Sequence, residues 1–178
     1  MNKDIEFVLV SEFQIEHIVH SLASQIQKDY ANTDFVMIGL LKGSISFMSD
    51  LMKCIDLNFS VDFMTVSSYG DSVESSGDVK IVHDLTSPIK DKEVLVVEDI
   101  IDSGNTLAFV CSYLVSKGAK RVRVVTLCDK PSRRKVAFAS DYKGITVPDE
   151  FIVGYGMDYA ERYRNLPYIG ILRRSVYM

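Results

Sequence analysis

With 178 residues and a hydrophobic fraction of 47%, the chain is long enough to bury the core of one domain without a disulfide or metal staple. A charged fraction of 25% and a net charge of −4 give no electrostatic footprint for nucleic acid and discourage a basic RNA-binding face. No apolar run approaches the roughly 20 residues of a membrane span, MNKDIEFVLV is not built like a secretory signal, and Cys54, Cys111 and Cys128 lack zinc spacing, so a reducing, cytoplasmic setting is expected.

Ser11 and Gln14 have the form of a capping box, and Ile15, Ile18, Val19, Leu22, Ala23 and Ile26 follow at helical spacing. This pattern predicts an amphipathic helix from Ser11 to Tyr30. Phe35 to Leu41 reads as a buried strand, broken by Lys42-Gly43-Ser44 and followed by a second helix to about Cys54. Val61 to Val66 is another strand. Ser67 to Asp78, with two glycines and several serines, has the composition of a mobile loop, and Val79 to His83 is a candidate strand beyond it. A buried strand from Val94 ends at Glu98 and Asp99, and a small polar turn, Asp102 to Thr106, leads into a third helix from Asn105 to Lys117. Gly118 sits where a C′ glycine belongs. Arg121 to Leu127 is a further strand. The tail, Val147 to Arg174, mixes short apolar segments with aromatic and charged residues. His17, His20 and His83 read as ordinary helix or surface histidines, and Arg173–Arg174 as a solvated face.

Strands alternating with helices imply βαβ units and a mostly parallel, twisted sheet flanked by helices. Ligands of such sheets bind beyond the carboxyl ends of the strands. Lys42-Gly43-Ser44 and Glu98 to Thr106 both leave such ends, so two distant segments can meet at one cleft. A turn that points backbone N–H groups and hydroxyls from a helix start is a phosphate site. Carboxylates beside it make sense if they bind sugar hydroxyls or a metal, or if one moves a proton. The expected ligand is a phosphorylated sugar. Asp102 also suits an N-cap. An acidic pair could instead belong to a phosphoacceptor site of the receiver type, but here the pair lies mid-chain and runs directly into the turn.

Glu98, Asp99, Asp102, Ser103, Gly104 and Thr106 together resemble the phosphoribosyl pyrophosphate signature of the type I phosphoribosyltransferases. Leu41-Lys42-Gly43-Ser44 resembles that family's short pyrophosphate loop, in which the peptide before the Lys is often cis. Ser68-Tyr69-Gly70 resembles the start of its catalytic flexible loop, although a long surface hairpin loop has the same composition. Val147 to Tyr159 resembles the C-terminal signature of the branch that acts on 6-oxopurines.

The resemblance implies one α/β domain over 1–178, with a flexible loop at about 67–78. It also implies a base-recognition hood at about 130–178, formed with the terminal segments. It implies Mg²⁺-dependent transfer of ribose 5-phosphate from phosphoribosyl pyrophosphate to hypoxanthine, guanine or both, in a homodimer or homotetramer. Glu98 and Asp99 would hold the ribose 2′ and 3′ hydroxyls and stabilise charge on the ring. Asp102 would manage the proton on the purine nitrogen that is not alkylated. Asp102, Ser103, Gly104, Asn105 and Thr106 would cradle the 5′-phosphate, with no role for the Asn105 side chain. Lys42, Gly43, Ser68, Tyr69 and Arg164 would serve the pyrophosphate side. Lys130 would donate to the 6-oxo group, Phe151 would stack on the base, and Ile152 and Asp158 would meet its edge. Asp158, with Glu98 and Asp99, would serve the metal. A xanthine-preferring relative, or a regulator that only senses phosphoribosyl pyrophosphate, would share much of this pattern.

Overall fold

Two apolar faces of one sheet organise the chain. The structure, a computed structural model, describes residues 2–68 and 79–178. β2 (Phe35–Leu41) and β5 (Glu93–Ile101) pair in parallel at its centre. β3 (Ser60–Ser68) and β6 (Arg121–Asp129) extend it in parallel on either side, and β7 (Tyr142–Thr146) adds a further parallel strand to β6. β4 (Val79–His83) runs antiparallel to β3, giving the order β4-β3-β2-β5-β6-β7. Side chains on successive strand residues alternate between faces. Met37, Leu95, Val97, Val125 and Leu127 therefore join one core, while Val36, Ile38, Leu40, Val94, Val96 and Val124 join the other.

The first core is covered by α1 (Glu12–Asp29) and α2 (Ile45–Lys53), the second by α3 (Asn105–Ser116). α1 buries Ile15, Val19, Leu22, Ala23 and Ile26 along one stripe. Its start is the expected capping box: Ser11 Oγ accepts the Gln14 N–H at 3.3 Å, and Gln14 Oε1 accepts the Ser11 N–H at 2.9 Å. The six-stranded sheet is the mostly parallel α/β architecture anticipated from the strand–helix alternation.

A second sheet joins segments far apart in sequence. β1 (Ile5–Val10) pairs antiparallel with β9 (Ile169–Leu172), which pairs antiparallel with β8 (Ile152–Val153). Ile5, Val153 and Leu172 form its own small core, with Tyr159, Tyr163 and Tyr177 against it. A terminal turn of helix, α4 (Arg174–Tyr177), follows. This sheet is the hood. β1 and β7 had no clear sequence signal of their own, being short and half-exposed. Of the segment expected as a loop over Ser67 to Asp78, Ser67 and Ser68 belong instead to β3. Tyr69, Gly70 and the rest of that loop lie outside the described residues.

The capping box predicts a measurable contribution. Ser11→Ala is expected to cost about 1 kcal/mol and to lower the thermal midpoint by roughly 2–4 °C in a chain of this size. Circular dichroism melts would show this, and an unchanged midpoint would mean that the cap is dispensable.

Candidate active site

Parallel pairing brings four strand ends to one edge of the sheet. Ile101 is in register with Asp129, and Asp129 with Thr146, so the segments after β5, β6 and β7 leave side by side. β2 lies on the other flank of β5 and ends at Leu41, where the Leu41–Lys42 peptide is cis. From β2 the chain runs outward through β3 and β4, then returns to β5 on the opposite side. The topological switch point therefore falls between Lys42 and Glu98, where open α/β sheets bind ligands.

The polar turn after β5 is shaped for an anion. Gly104, at φ +85°, is the N-cap of α3, a conformation that glycine adopts without steric cost. No side chain caps this helix, although Ser103 Oγ accepts the Asn105 N–H at 3.3 Å. The first-turn amides of α3 thus offer donors at the positive end of the helix. Asp102 is not the N-cap, which corrects one expectation: two residues separate it from the helix, because the left-handed glycine is needed to turn the chain. Its carboxylate is left exposed at the mouth of the cleft.

The acidic pair is desolvated. Asp99 is only 9% exposed, and its Oδ1 accepts the Ile100 N–H at 2.8 Å. Burial pushes its carboxyl up to about 6. Burial likewise holds Glu98 well above the usual carboxylate range, with Asp99 beside it adding to the effect. Glu98 Oε2 is shielded and has no hydrogen-bond partner among the described residues. Gly43 lies so close that a Cβ there would overlap the Asp99 carboxylate. Gly156, at φ +103°, packs as tightly on the Gly43 carbonyl. The Lys42 loop, the acidic pair and the tail signature therefore touch at one point.

An open cleft of about 470 Å³ gathers Asp99, Asp102, Lys130, Phe151, Ile152 and Asp158. Lys130 is 7% exposed and its ammonium donates to the Glu150 carbonyl at 2.9 Å, leaving two further N–H donors. Phe151 is 37% exposed and flanked by two rings, Tyr159 edge-on at 5.3 Å and Tyr177 tilted at 5.1 Å. Tyr177 has no sequence signal, since a lone aromatic near a chain end resembles any other.

Lys42 and Arg164 meet nearby, through a residue that sequence reasoning missed. Glu161 takes the Lys42 ammonium at 2.8 Å on one oxygen and Arg164 at 3.2 Å on the other. Arg164 also pairs with Asp158 Oδ1 at 2.8 Å and donates to the Gly156 carbonyl at 2.7 Å. The Glu161-x-x-Arg164 spacing was a visible, weak sign of such a pair.

Among the described residues, no three His, Cys, Asp or Glu side chains converge into a metal-holding group. Asp99 and Asp158 nonetheless present hard oxygen donors to the cleft, with Glu98 beside them, of the kind that hold a cation drawing further ligands from bound phosphates. No helix among these residues is long and apolar enough to cross a membrane.

The chain matches the phosphoribosyl transferase domain over residues 11–160. It belongs to that family. This phosphoribosyltransferase is 50% identical to the hypoxanthine-guanine phosphoribosyltransferase of Bacillus subtilis over 177 residues, covering 99% of this chain and 98% of that protein. It is 49% identical to the bifunctional protein TilS/HprT of Listeria innocua, matching over 99% of its own length but spanning only 27% of that protein. The crystal structure of a hypoxanthine phosphoribosyltransferase from Staphylococcus aureus superposes with a TM-score of 0.95 at 49% identity, covering 98% of this chain and 95% of that one. The phosphoribosyltransferase fold anticipated from the sequence motifs is therefore the fold present.

The raised Asp99 carboxyl has a consequence for stability. Its proton is held more tightly in the fold than at the ordinary value of 3.8, so its favourable contribution is complete below about pH 4 and is lost as pH rises through about 6. Asp99→Asn stays neutral and keeps an acceptor for the Ile100 N–H. The variant is expected to exceed the wild type in stability by about 3 kcal/mol at pH 8, with the gap closing near pH 4. Urea unfolding at both pH values measures this, and an equal gap at both would remove burial as the cause.

Proposed function

We propose that this phosphoribosyltransferase moves ribose 5-phosphate from phosphoribosyl pyrophosphate to hypoxanthine, guanine or both, with Mg²⁺. The products are the purine nucleoside monophosphate and pyrophosphate, and the role is purine salvage. The observation that carries the reading is the single cleft that brings Asp102, Lys130, Phe151 and Ile152 together beside the uncapped start of α3. The full-length likeness to the Bacillus subtilis enzyme supports it.

The assignment divides the work by chemistry. The α3 amides, with the Ser103 and Thr106 hydroxyls, take the 5′-phosphate. Glu98 and Asp99 take the ribose hydroxyls, and a cationic ring arriving beside them in the transition state would favour their ionised form despite burial. Phe151 stacks on the base, Ile152 offers its backbone to the base edge, and Lys130 donates to the 6-oxo group through an N–H not used by Glu150. Asp102 accepts the proton from the ring nitrogen that is not alkylated. Lys42, Gly43 and Arg164 face the departing pyrophosphate, and Ser68 and Tyr69 are assigned to the same side of the substrate. Mg²⁺, held by Asp158, Glu98 or Asp99 together with the substrate's own oxygens, would neutralise charge on the leaving group.

The setting is cytoplasmic, in keeping with three unpaired cysteines. The assembly is a homodimer or homotetramer, for which Val61 and Phe63 on β3 supply exposed apolar surface.

The test supplies Mg²⁺ and phosphoribosyl pyrophosphate with hypoxanthine, guanine, xanthine, adenine or uracil in turn. Nucleotide formation from hypoxanthine or guanine is expected, with Asp102→Asn lowering kcat by about 10²- to 10⁴-fold. Turnover of another base alone overturns the base assignments. Binding of phosphoribosyl pyrophosphate without turnover of any base points instead to a sensor.

A further inference from the structure

Three successive carbonyls at the exit of β5 are each taken by one short segment after β6. Ile101 O accepts the Lys130 N–H at 2.9 Å, and Ser103 O accepts the Lys135 N–H at 2.9 Å. The middle carbonyl, Asp102 O, is reached by a side chain: Arg134 Nη1 donates to it at 2.7 Å. Arg134 Nη2 donates to the Asp129 carboxylate, which is only 14% exposed. The Arg134 side chain is itself 16% exposed and packs beneath Gly104, where an added Cβ would sit 3.2 Å from its Cδ.

We propose that Arg134 is a positioning residue of the transfer reaction, setting the place of Asp102 relative to Lys130. This rests on the role given to Asp102 under the proposed function. The geometry supplies the reason. Lys130 and Asp102 leave neighbouring strands in register, and backbone bonds flank Asp102 at Ile101 and Ser103, but its own carbonyl takes its bond from a side chain. The planar guanidinium supplies it, with one arm on Asp129 at the foot of the Lys130 segment and the other on the backbone of Asp102. A lysine carries one compact ammonium and cannot serve both in this fork geometry. The purine must lie between Lys130 and Asp102, so a shift of Asp102 by about 1 Å is enough to spoil proton transfer while leaving the base pocket in place.

The experiment compares wild type, Arg134→Lys, Asp102→Asn and the double variant. Arg134→Lys retains a positive charge beside Asp129 and is expected to fold. Its kcat should fall about ten- to a hundredfold, with KM for base and phosphoribosyl pyrophosphate within about threefold of wild type. In the Asp102→Asn background the same change should cost less than about threefold, because the two residues act as one unit. Hydrogen exchange should quicken at least tenfold across residues 101–107 and stay unchanged across the body of β5. An undiminished kcat, multiplicative losses in the double variant, or unchanged exchange at 101–107 would each overturn the proposal. If the wild type forms no nucleotide, the functional reading fails, and the exchange measurement alone decides whether Arg134 holds Asp102.

Discussion

The parallel pairing of β2, β5, β6 and β7 is the constraint on which the site depends. Parallel strands must all end on the same edge, so Lys42, Asp99, Asp102 and Lys130 arrive together without any one loop having to be long. Residues more than fifty positions apart in the chain, such as Gly43 and Asp99, thereby become neighbours. The hood adds Phe151, Ile152 and Asp158 from above that edge, and Gly43 and Gly156 allow the three layers to touch.

That contact has an electrostatic cost. Pressing Gly43 onto Asp99 helps take that carboxylate out of water, and burial raises the titration of both members of the pair. A protein under pressure for stability alone would place neutral residues there. Strongly perturbed carboxylates in a cleft mark a candidate functional site rather than a purely structural one. The site thus holds two opposite fields a few residues apart on one strand–turn–helix unit.

Much of this was legible in the sequence because it is local. Ser11 and Gln14 announce α1, the β-branched run before Glu98 announces β5, and the Asp102-to-Thr106 turn carries its own chemistry within five residues. The start of α3 at Asn105 was read correctly, but Asp102 and Gly104 both suit caps, and only the backbone torsion assigns that place to Gly104. Contacts that cross the fold left little trace. Glu161 between Lys42 and Arg164, Tyr177 against Phe151, and Arg134 under the Asp102-to-Thr106 turn are surface-type residues by composition, given their places by pairings of 119, 26 and 32 positions. The hood was anticipated only through the family resemblance, because β1, β8 and β9 are too short to show a period of their own.

The register of that hood bears on the order in which the molecule assembles. Ile5 pairs with Leu172, which closes a loop of nearly the whole chain. Such a closure is entropically unfavourable until the intervening sheet has already drawn the two segments together. The turn from Asp102 to Thr106, made of contiguous residues between β5 and α3, can form early with its own strand and helix. The aromatic platform around Phe151 cannot, because it leans on a turn beyond β9. Folding therefore completes the Glu98-to-Thr106 half of the cleft before the half around Phe151.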